Sequence, residues 1–577
     1  GMACEAGACA PAGTLPAGTP CLLSAECTDG QHCSVVGVCA PAGVGAEGDP
    51  CASAADCLPS HTCKILGMSG ACALAGDKDV GQPCEDLTDC FAGLRCGDEG
   101  TCQAGSALFG APFFAGAPCV PDEQIEGPAR IFFEVPRAGA PLAEFYRLPF
   151  PNDVRIVGGR VSLAGHPVPG KGLIGVDLVD RLIDAIEGEM TGFGTNPTIF
   201  FRSSVGLDYG TVSGSGDGRT VHMVDVTPDS PDYGKTFDLG WFATTDRDKY
   251  ICHNSIRLHR PWSRPLRPGT TYAVLLAGDI LSAKKTDDAG NEIPGGALTP
   301  DADFTAMLGI ERPGDADLAH AWEAFAPLRT WLSEAESAPK GLLGGTVFTT
   351  ARVRDVLPPI RAAVDERTPP AFTDWTACDA GIISPCEAGD PARRGCGAPT
   401  ADVWELHARV TLPRMQVGTR PYLSPADGGA VDLGPVGEAA VVQGDEQVCV
   451  ALSVPRGVPM PEAGWPVLLY AHGTGGDFKN AIRNGTAGRL ARLDAGGDAL
   501  GVATLGFDQV MHGPRRESDL SPDVLVYNFV NPRAARGNFL QAVADTLALV
   551  RALGTMEVPA TASPTGEAIR FDPTARL

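Results

Sequence analysis

No stretch of the 577 residues is apolar for anything near the ~20 positions that a membrane-spanning helix needs, so no transmembrane segment is expected. Basic residues are scarce: 45 Lys and Arg face 70 Asp and Glu, for a net charge of -25. A field of that sign repels phosphate backbones and anionic lipid, which excludes the usual modes of nucleic-acid binding. A charged-then-apolar leader is also missing. Gly1-Met2 reads as an expression scar before a start residue, so that absence says little about where the natural product goes. The pentapeptide Gly-x-Ser-x-Gly does not occur either; its nearest approach, "GTVSGSGDG" at 210–218, has the wrong spacing.

Cysteine is present in quantity and unevenly placed: 14 of the 20 lie in the first 102 residues. "GTPCLLSAECTDGQHCSVVGVC" spaces Cys21, Cys27, Cys33 and Cys39 evenly, and the next two units repeat the pattern. They are "GDPCASAADCLPSHTCKILGMSGAC" (Cys51, Cys57, Cys63, Cys72) and "GQPCEDLTDCFAGLRCGDEGTC" (Cys84, Cys90, Cys96, Cys102). Zinc sites favour two-to-four-residue spacings, often mixed with histidine, whereas here five residues separate most neighbours. Disulfides are therefore expected, and with them an extracellular, cell-surface or periplasmic location. Units of ~30 residues with so few large apolar side chains need cross-links to stay folded. Cys119 opens a fourth, uncompleted "GAPC" and is expected to close the array. The repeats resemble short Cys-rich modules of secreted and surface bacterial proteins, which implies a stalk, a contact module or a spacer. Cys4 is a weak candidate for lipidation, because "GMAC" lacks the usual leucine three places earlier.

From about residue 128 the pattern turns to short alternating or apolar runs broken by Pro, Gly and Asp. "RIFFEV", "TIFFRSS", "TVHMVDV", "TYAVLLAG" and "GTVFTT" are predicted strands. Val176, Val179, Ile183 and Ile186 recur at helical spacing, and "DLAHAWEAFAPLRTWLSEA" predicts a further helix. The acidic turns "TDDAGNE" and "PGDADLAH" do not match a calcium loop and read as solvated turns. "LPFPND", "PLRPGTTYAVLLAG" and "VFTT" resemble the amino-terminal β-domain of secreted bacterial lipases and esterases, an Ig-like sandwich.

A predicted helix, "ARVRDVLPPIRAAVDE", and a stapled loop carrying Cys378, Cys386 and Cys396 lead into alternating strands at "WELHARVTLP" and "QVCVALSVP". Val448, Val450, Leu452 and Val454 share one face of the second strand. "WPVLLYA" then reads as a central parallel strand ending at "HGTGG", and helix, strand and helix follow in "NAIRNGTAGRLARLDA", "LGVATLGF" and "ARGNFLQAVADTLALVRAL". In the last of these Phe539, Val543, Leu547, Val550 and Leu553 define the expected apolar side. This order predicts a doubly wound α/β sheet.

"GWPVLLYAHGTGGD", "GFDQVMHGPR" and "YNFVNPRAARGNFLQAVADTLALVRAL" resemble the first half of an α/β-hydrolase of the lipase and esterase branch. The resemblance implies that His472, Gly473, Thr474 and Gly475 form the oxyanion loop, and that Asp508, His512 and Arg515 shape the neighbouring pocket. An ion pair between Asp508 and Arg515 is the plain structural expectation. His472 and His512 precede the nucleophile in the family's order and are not expected to act as general base. Nucleophile, acid and base are expected beyond Leu577, through truncation, nicking or a second polypeptide such as a carboxyl-terminal fragment. No cofactor is implied, and His253 and His259 lack a nearby third ligand for a metal.

The expected organisation is a disulfide-rich repeat array at 1–120, a β-rich domain at 128–352, a connecting helix and Cys loop at 353–400, and an incomplete α/β-hydrolase domain at 400–577. The implied function is a serine esterase or lipase acting on a hydrophobic ester, and this chain alone should be inactive. The alternative is a non-catalytic surface binding or adhesion protein that uses the repeats and the β-domain.

Overall fold

The computed structural model describes residues 124–576 apart from 143, 169–177, 246–250, 262–263, 288–289, 389 and 496–497, together with short stretches before residue 124. Cys21, Cys27, Val176 and the middle of "TDDAGNE" lie outside the described residues. The chain divides into two compact units, Gly1–Val353 and Arg354–Leu577.

In the cysteine-rich region each repeat contributes a small hairpin whose third and fourth cysteines face each other: Cys33 with Cys39, Cys63 with Cys72, and Cys96 with Cys102. Among the described residues the disulfides of this region join other pairs, Cys57–Cys72, Cys84–Cys96 and Cys90–Cys102, so each of these bonds ties a hairpin back to the loop before it. Buried Cys84, Cys90 and Cys102 supply what core the third repeat has. Closing 12- and 15-residue loops restricts the unfolded chain by about 3 kcal/mol each in the chain-entropy account. Cys119 does not close the array: it bonds Cys252, 133 residues on, and so belongs with the β-rich part of the first unit. Among the described residues no cysteine is free and no helix is long and apolar enough to cross a membrane. Both facts are compatible with an extracellular protein.

The rest of the first unit is β-rich. Strands β1 (Ile199–Arg202), β4 (Gly240–Thr244) and β5 (Ser255–His259) form one antiparallel sheet, in the order β1-β5-β4. The second sheet has the order β3-β2-β6-β7, from β2 (Val221–Asp225), β3 (Thr236–Phe237), β6 (Thr271–Leu276) and β7 (Gly344–Thr349). Alternation decides what each face covers. Val221, Met223, Val274 and Phe348 share a core with Phe201, Ile256 and Leu258 of the other sheet. Val224, Ala273, Leu275 and Val347 turn the opposite way, against α2 (Ala302–Leu308), α3 (Ala316–Ala324) and α4 (Ala326–Glu334). Ile183 and Ile186 of α1 (Leu178–Glu189) pack on the inter-sheet core. The single helix expected over 317–335 is two, because Pro327 lacks the N–H that would continue the first and instead opens the second.

The second unit is built on one mixed seven-stranded sheet of order β8-β9-β10-β12-β11-β14-β13. Its strands are β8 (Phe372–Ala377), β9 (Val403–Arg414), β10 (Gly444–Pro455), β11 (Trp465–Tyr470), β12 (Ala503–Phe507), β13 (Glu557–Val558) and β14 (Ile569–Arg576). The β10–β12 pairing is antiparallel, and β12, β11 and β14 run parallel. From β11 the chain passes through α6 (Asn480–Arg483) and α7 (Thr486–Ala491) to β12 on one side. It then passes through α8 (Pro522–Tyr527) and α9 (Pro532–Leu553) to β14 on the other. The carboxyl end of β11 is therefore a point where strand order reverses, the place where open parallel sheets leave a crevice. The helix expected over 480–495 breaks at Gly485, which takes the left-handed conformation at φ 76°.

Val448, Val450, Leu452 and Val454 lie buried on one face of β10, with α9 and α5 (Leu357–Asp365). Ala451 of the opposite face meets Phe478 and Cys386. Disulfides Cys378–Cys396 and Cys386–Cys449 staple the long loop there.

The expected apolar side of α9 is corrected in part: Leu553 is buried and Val543 and Leu547 pack against the core, but Phe539 and Val550 do not. Phe539 and Val550 are 56% and 39% exposed, whereas Ala534, Gly537, Asn538, Gln541, Ala544, Asp545 and Ala548 are buried. Close approach acts with apolar bulk on this face: Leu540, Leu549 and Leu553 are buried on it, and a Cβ on Gly537 would sit 1.9 Å from the Gly429 carbonyl oxygen. Buried Asn538 and Gln541 bind neighbouring backbone and side chains, including Leu525 O and Pro413 O at 3.0 and 2.8 Å. Gly537→Ala is accordingly expected to cost about 1–3 kcal/mol through overpacking, read as a lower urea midpoint at unchanged m-value.

Candidate active site

β11 ends at Tyr470, and the chain turns sharply through residues 471–479 before α6 begins. His472 is buried and Gly473, Thr474 and Gly475 are exposed. Parallel neighbour β12 ends at Phe507 and delivers buried Asp508, His512 and Arg515 on the adjoining loop. The structure thus brings the residues singled out in the sequence onto two adjacent loops at the carboxyl edge of the sheet.

The two histidines lock these loops together reciprocally. His472 Nε2 accepts the Gln509 N–H at 3.2 Å, and His512 Nε2 accepts the Gly475 N–H at 3.0 Å. Each ring's Nδ1 donates to a carbonyl of its own loop: Gly473 O at 2.8 Å for His472 and Val510 O at 2.9 Å for His512. Both imidazoles are thereby fixed as neutral Nδ1–H tautomers, with ring centroids 4.7 Å apart. Gln509 Nε2 also donates to His472 O. Glycine is required at 476, because a Cβ there would lie 2.8 Å from His472 Nδ1. Burial lowers the pKa of His472 and of His512, opposed in each by the backbone carbonyl that its Nδ1 meets.

Since folding favours the neutral rings, their stabilisation is present above the ordinary value of 6.5 and is lost as pH falls below it. Amide-exchange protection at Gly475 and Gln509 is expected to fall together over that window, and His512→Phe should remove the Gly475 part at every pH. Protection that does not change with pH would contradict the clasp.

Gly475 thus spends its amide on His512. Gly476 donates to Gly473 O at 3.0 Å. Among the described residues, the amides of exposed Gly473 and Thr474 have no hydrogen-bond partner. Of the four loop residues expected to supply oxyanion donors, Gly475 is committed to His512, and Gly473 and Thr474 keep exposed, open amides.

Asp508 and Arg515 do not form the expected ion pair. Arg515 Nη1 donates to the Asp508 backbone oxygen at 2.9 Å, while the Asp508 carboxylate takes both Nη atoms of buried Arg394 at 3.1 and 2.5 Å. Arg515 is claimed by two carboxylates, part-buried Glu446 and buried Asp545, the latter at 2.8 Å. Arg420 adds a bidentate pair to Glu446 at 2.7 and 3.0 Å. Although burial works against it, Arg515 and Arg420 hold the Glu446 carboxyl down to about 2.

The stapled Cys loop contributes residues that sequence reasoning missed. Arg393 donates to Asp477 at 2.6 Å and to Gly475 O at 2.7 Å, so adjacent arginines anchor both site loops. The available signal was the "ARRG" run between two stapled cysteines, set against acidic residues at strand ends. A serine–histidine–carboxylate chain also occurs. Ser384 Oγ lies 2.7 Å from His407 Nδ1, and His407 Nε2 lies 2.6 Å from Glu405 Oε1. Ser384 is 3% and His407 0% exposed, and the same hydroxyl accepts the Cys386 N–H at 3.0 Å. With no access for substrate, this chain ties the Cys loop to β9 rather than serving as a nucleophile.

Beside the open loop, Thr474 Oγ1 meets the Tyr527 hydroxyl at 3.3 Å. Val524, Tyr527, Phe529 and Phe539 form an exposed apolar stretch on and around α8. Neither protein-family models nor curated proteins match the chain.

Proposed function

We propose that the second unit belongs to a secreted or surface serine hydrolase of carboxylic esters, and that the Gly473 and Thr474 amides stabilise the oxyanion of the attacked carbonyl. The observation that carries this is the pair of adjacent, exposed, unpartnered backbone donors at the end of a central parallel strand. Donors left free of secondary structure and held rigid from behind need no reorganisation when negative charge develops. The order β9-β10-β12-β11-β14, with β10 antiparallel to its neighbours, supports an α/β-hydrolase half-sheet. The two facing antiparallel sheets of the first unit fit the Ig-like domain that precedes it in the lipase and esterase branch. Exposed Tyr527, Phe529 and Phe539 suit a hydrophobic acyl or alcohol group.

On this proposal the nucleophilic serine and its histidine and acid come from residues outside 1–577. The serine hydroxyl attacks the carbonyl carbon, the histidine takes its proton, and the carbonyl oxygen becomes the anion that the two amides bind. The alcohol leaves on protonation by the histidine, and water completes the cycle. The test is p-nitrophenyl ester turnover by the natural product, with and without a serine-reactive phosphonate. Turnover that the phosphonate abolishes is the expected result; absence of turnover, or turnover that survives the phosphonate, would contradict the proposal.

A further inference from the structure

The first unit holds a cleft of about 530 Å³, lined by residues 135–139 and Pro141, by Val154, Arg155 and Val157, by Ser162 and residues 164–165, and by Asp317 and His320 of α3. Its size falls within the usual range for small-molecule sites, about 300–1,000 Å³. Most of the wall is apolar: Val135, Pro136, Pro141, Val154, Val157 and Ala164.

Arg155 also lines this cleft and is only 5% exposed. Its Nη1 donates to Ala164 O at 2.7 Å. Among the described residues, Nε and Nη2 have no hydrogen-bond partner and keep access to solvent, and no carboxylate lies within ion-pair distance of the guanidinium. Glu187, the charge that acts on it from farther away, already accepts the Leu163 N–H at 2.6 Å and the Ser162 hydroxyl at 3.3 Å. Burial without a close counter-ion, only partly offset by Glu187, lowers Arg155 to about 10.

The other charges of the lining are committed. Arg137 pairs with Asp303 at 2.9 and 3.1 Å, and Asp317 accepts the Ala138 N–H at 2.8 Å. A buried cation in apolar surroundings is costly until an anion joins it. The edge left open, Nε–H beside Nη2–H, is a planar fork that matches the two oxygens of a carboxylate.

We propose that this cleft binds a small carboxylate with an apolar tail, the carboxylate on the Nε and Nη2 edge of Arg155 and the tail along Val135, Val154 and Val157. This proposal does not depend on the ester-hydrolase proposal.

The test is calorimetric titration of the full chain with decanoate, and with decanol and decyltrimethylammonium as probes of equal tail length. Decanoate should bind saturably and about tenfold tighter than either. Arg155→Gln should erase that preference. Because Arg155 also holds Ala164 O, a second variant guards against misfolding: Ala164→Trp, at an exposed position of the lining, should weaken decanoate about tenfold at an unchanged thermal midpoint. Equal affinity for decanoate and decanol, or decanoate binding undiminished in Ala164→Trp, would overturn the proposal. Decanoate binding abolished by Gly473→Val but not by Ala164→Trp would place the ligand elsewhere and overturn it too.

Discussion

Arg515→Leu should destabilise the second unit by about 3–5 kcal/mol, the usual cost of removing one partner from a buried ion pair. Arg515 is itself buried and neutralises both Glu446 and Asp545, the latter 0% exposed. Without it Asp545 keeps Gln541 Nε2 at 2.8 Å as a donor but has no nearby cation. Burial already raises the Asp545 pKa in spite of Arg515, so the variant should take up a proton there on folding. The double variant Arg515→Leu with Asp545→Leu should recover much of the loss, because an apolar pair of similar volume replaces a charge left alone. Urea unfolding of the three proteins measures this. Glu446 contributes with a defined sign: its carboxyl is held at about 2, so its stabilisation is complete above the ordinary 4.5 and is lost as pH falls from there toward 2. A single variant indistinguishable from the parent would show that the network is solvated.

Gly473→Val in the natural protein should lower kcat for a short p-nitrophenyl ester by about 100- to 1,000-fold, the range seen when one oxyanion donor is lost. The fold should not notice. A Cβ at 473 meets nothing within 4 Å, and the residue is not in the left-handed conformation that would strain a side chain. The added methyls would instead occupy the space from which a substrate oxygen reaches the two amides. Gly476→Ala is the contrasting variant, since its Cβ strikes the His472 ring and should loosen the clasp and lower stability. Unchanged kcat in Gly473→Val would remove these amides from the mechanism.

What could be read from the sequence divides by how local the cause is. An apolar run ending in His-Gly-Thr-Gly-Gly placed β11 and its turn correctly, because strand and turn preferences are set within ten residues. Cysteine spacing revealed the repeats but not the partner of Cys119, which lies 133 residues on. The face of α9 was misread at Phe539 and Val550 because the pattern of large apolar residues ignores small ones. There, Ala and Gly admit the backbone of the 428–431 strand, and buried amides satisfy it. The Asp508–Arg515 pairing failed for a related reason. Each charge had a better partner far along the chain, Arg394 at a separation of 114 and Glu446 at 69. The reciprocal histidine clasp was also hidden, since nothing in either loop alone shows that each ring accepts the other loop's amide. The free donors at Gly473 and Thr474 depend on that clasp.

The most direct measurement is a structure of the natural protein after reaction with a p-nitrophenyl phosphonate. The phosphoryl oxygen is expected about 2.7–3.1 Å from the Gly473 and Thr474 nitrogens, with Gly475 still bound to His512. An adduct whose oxygen is bound elsewhere, or the absence of any adduct, would contradict the account.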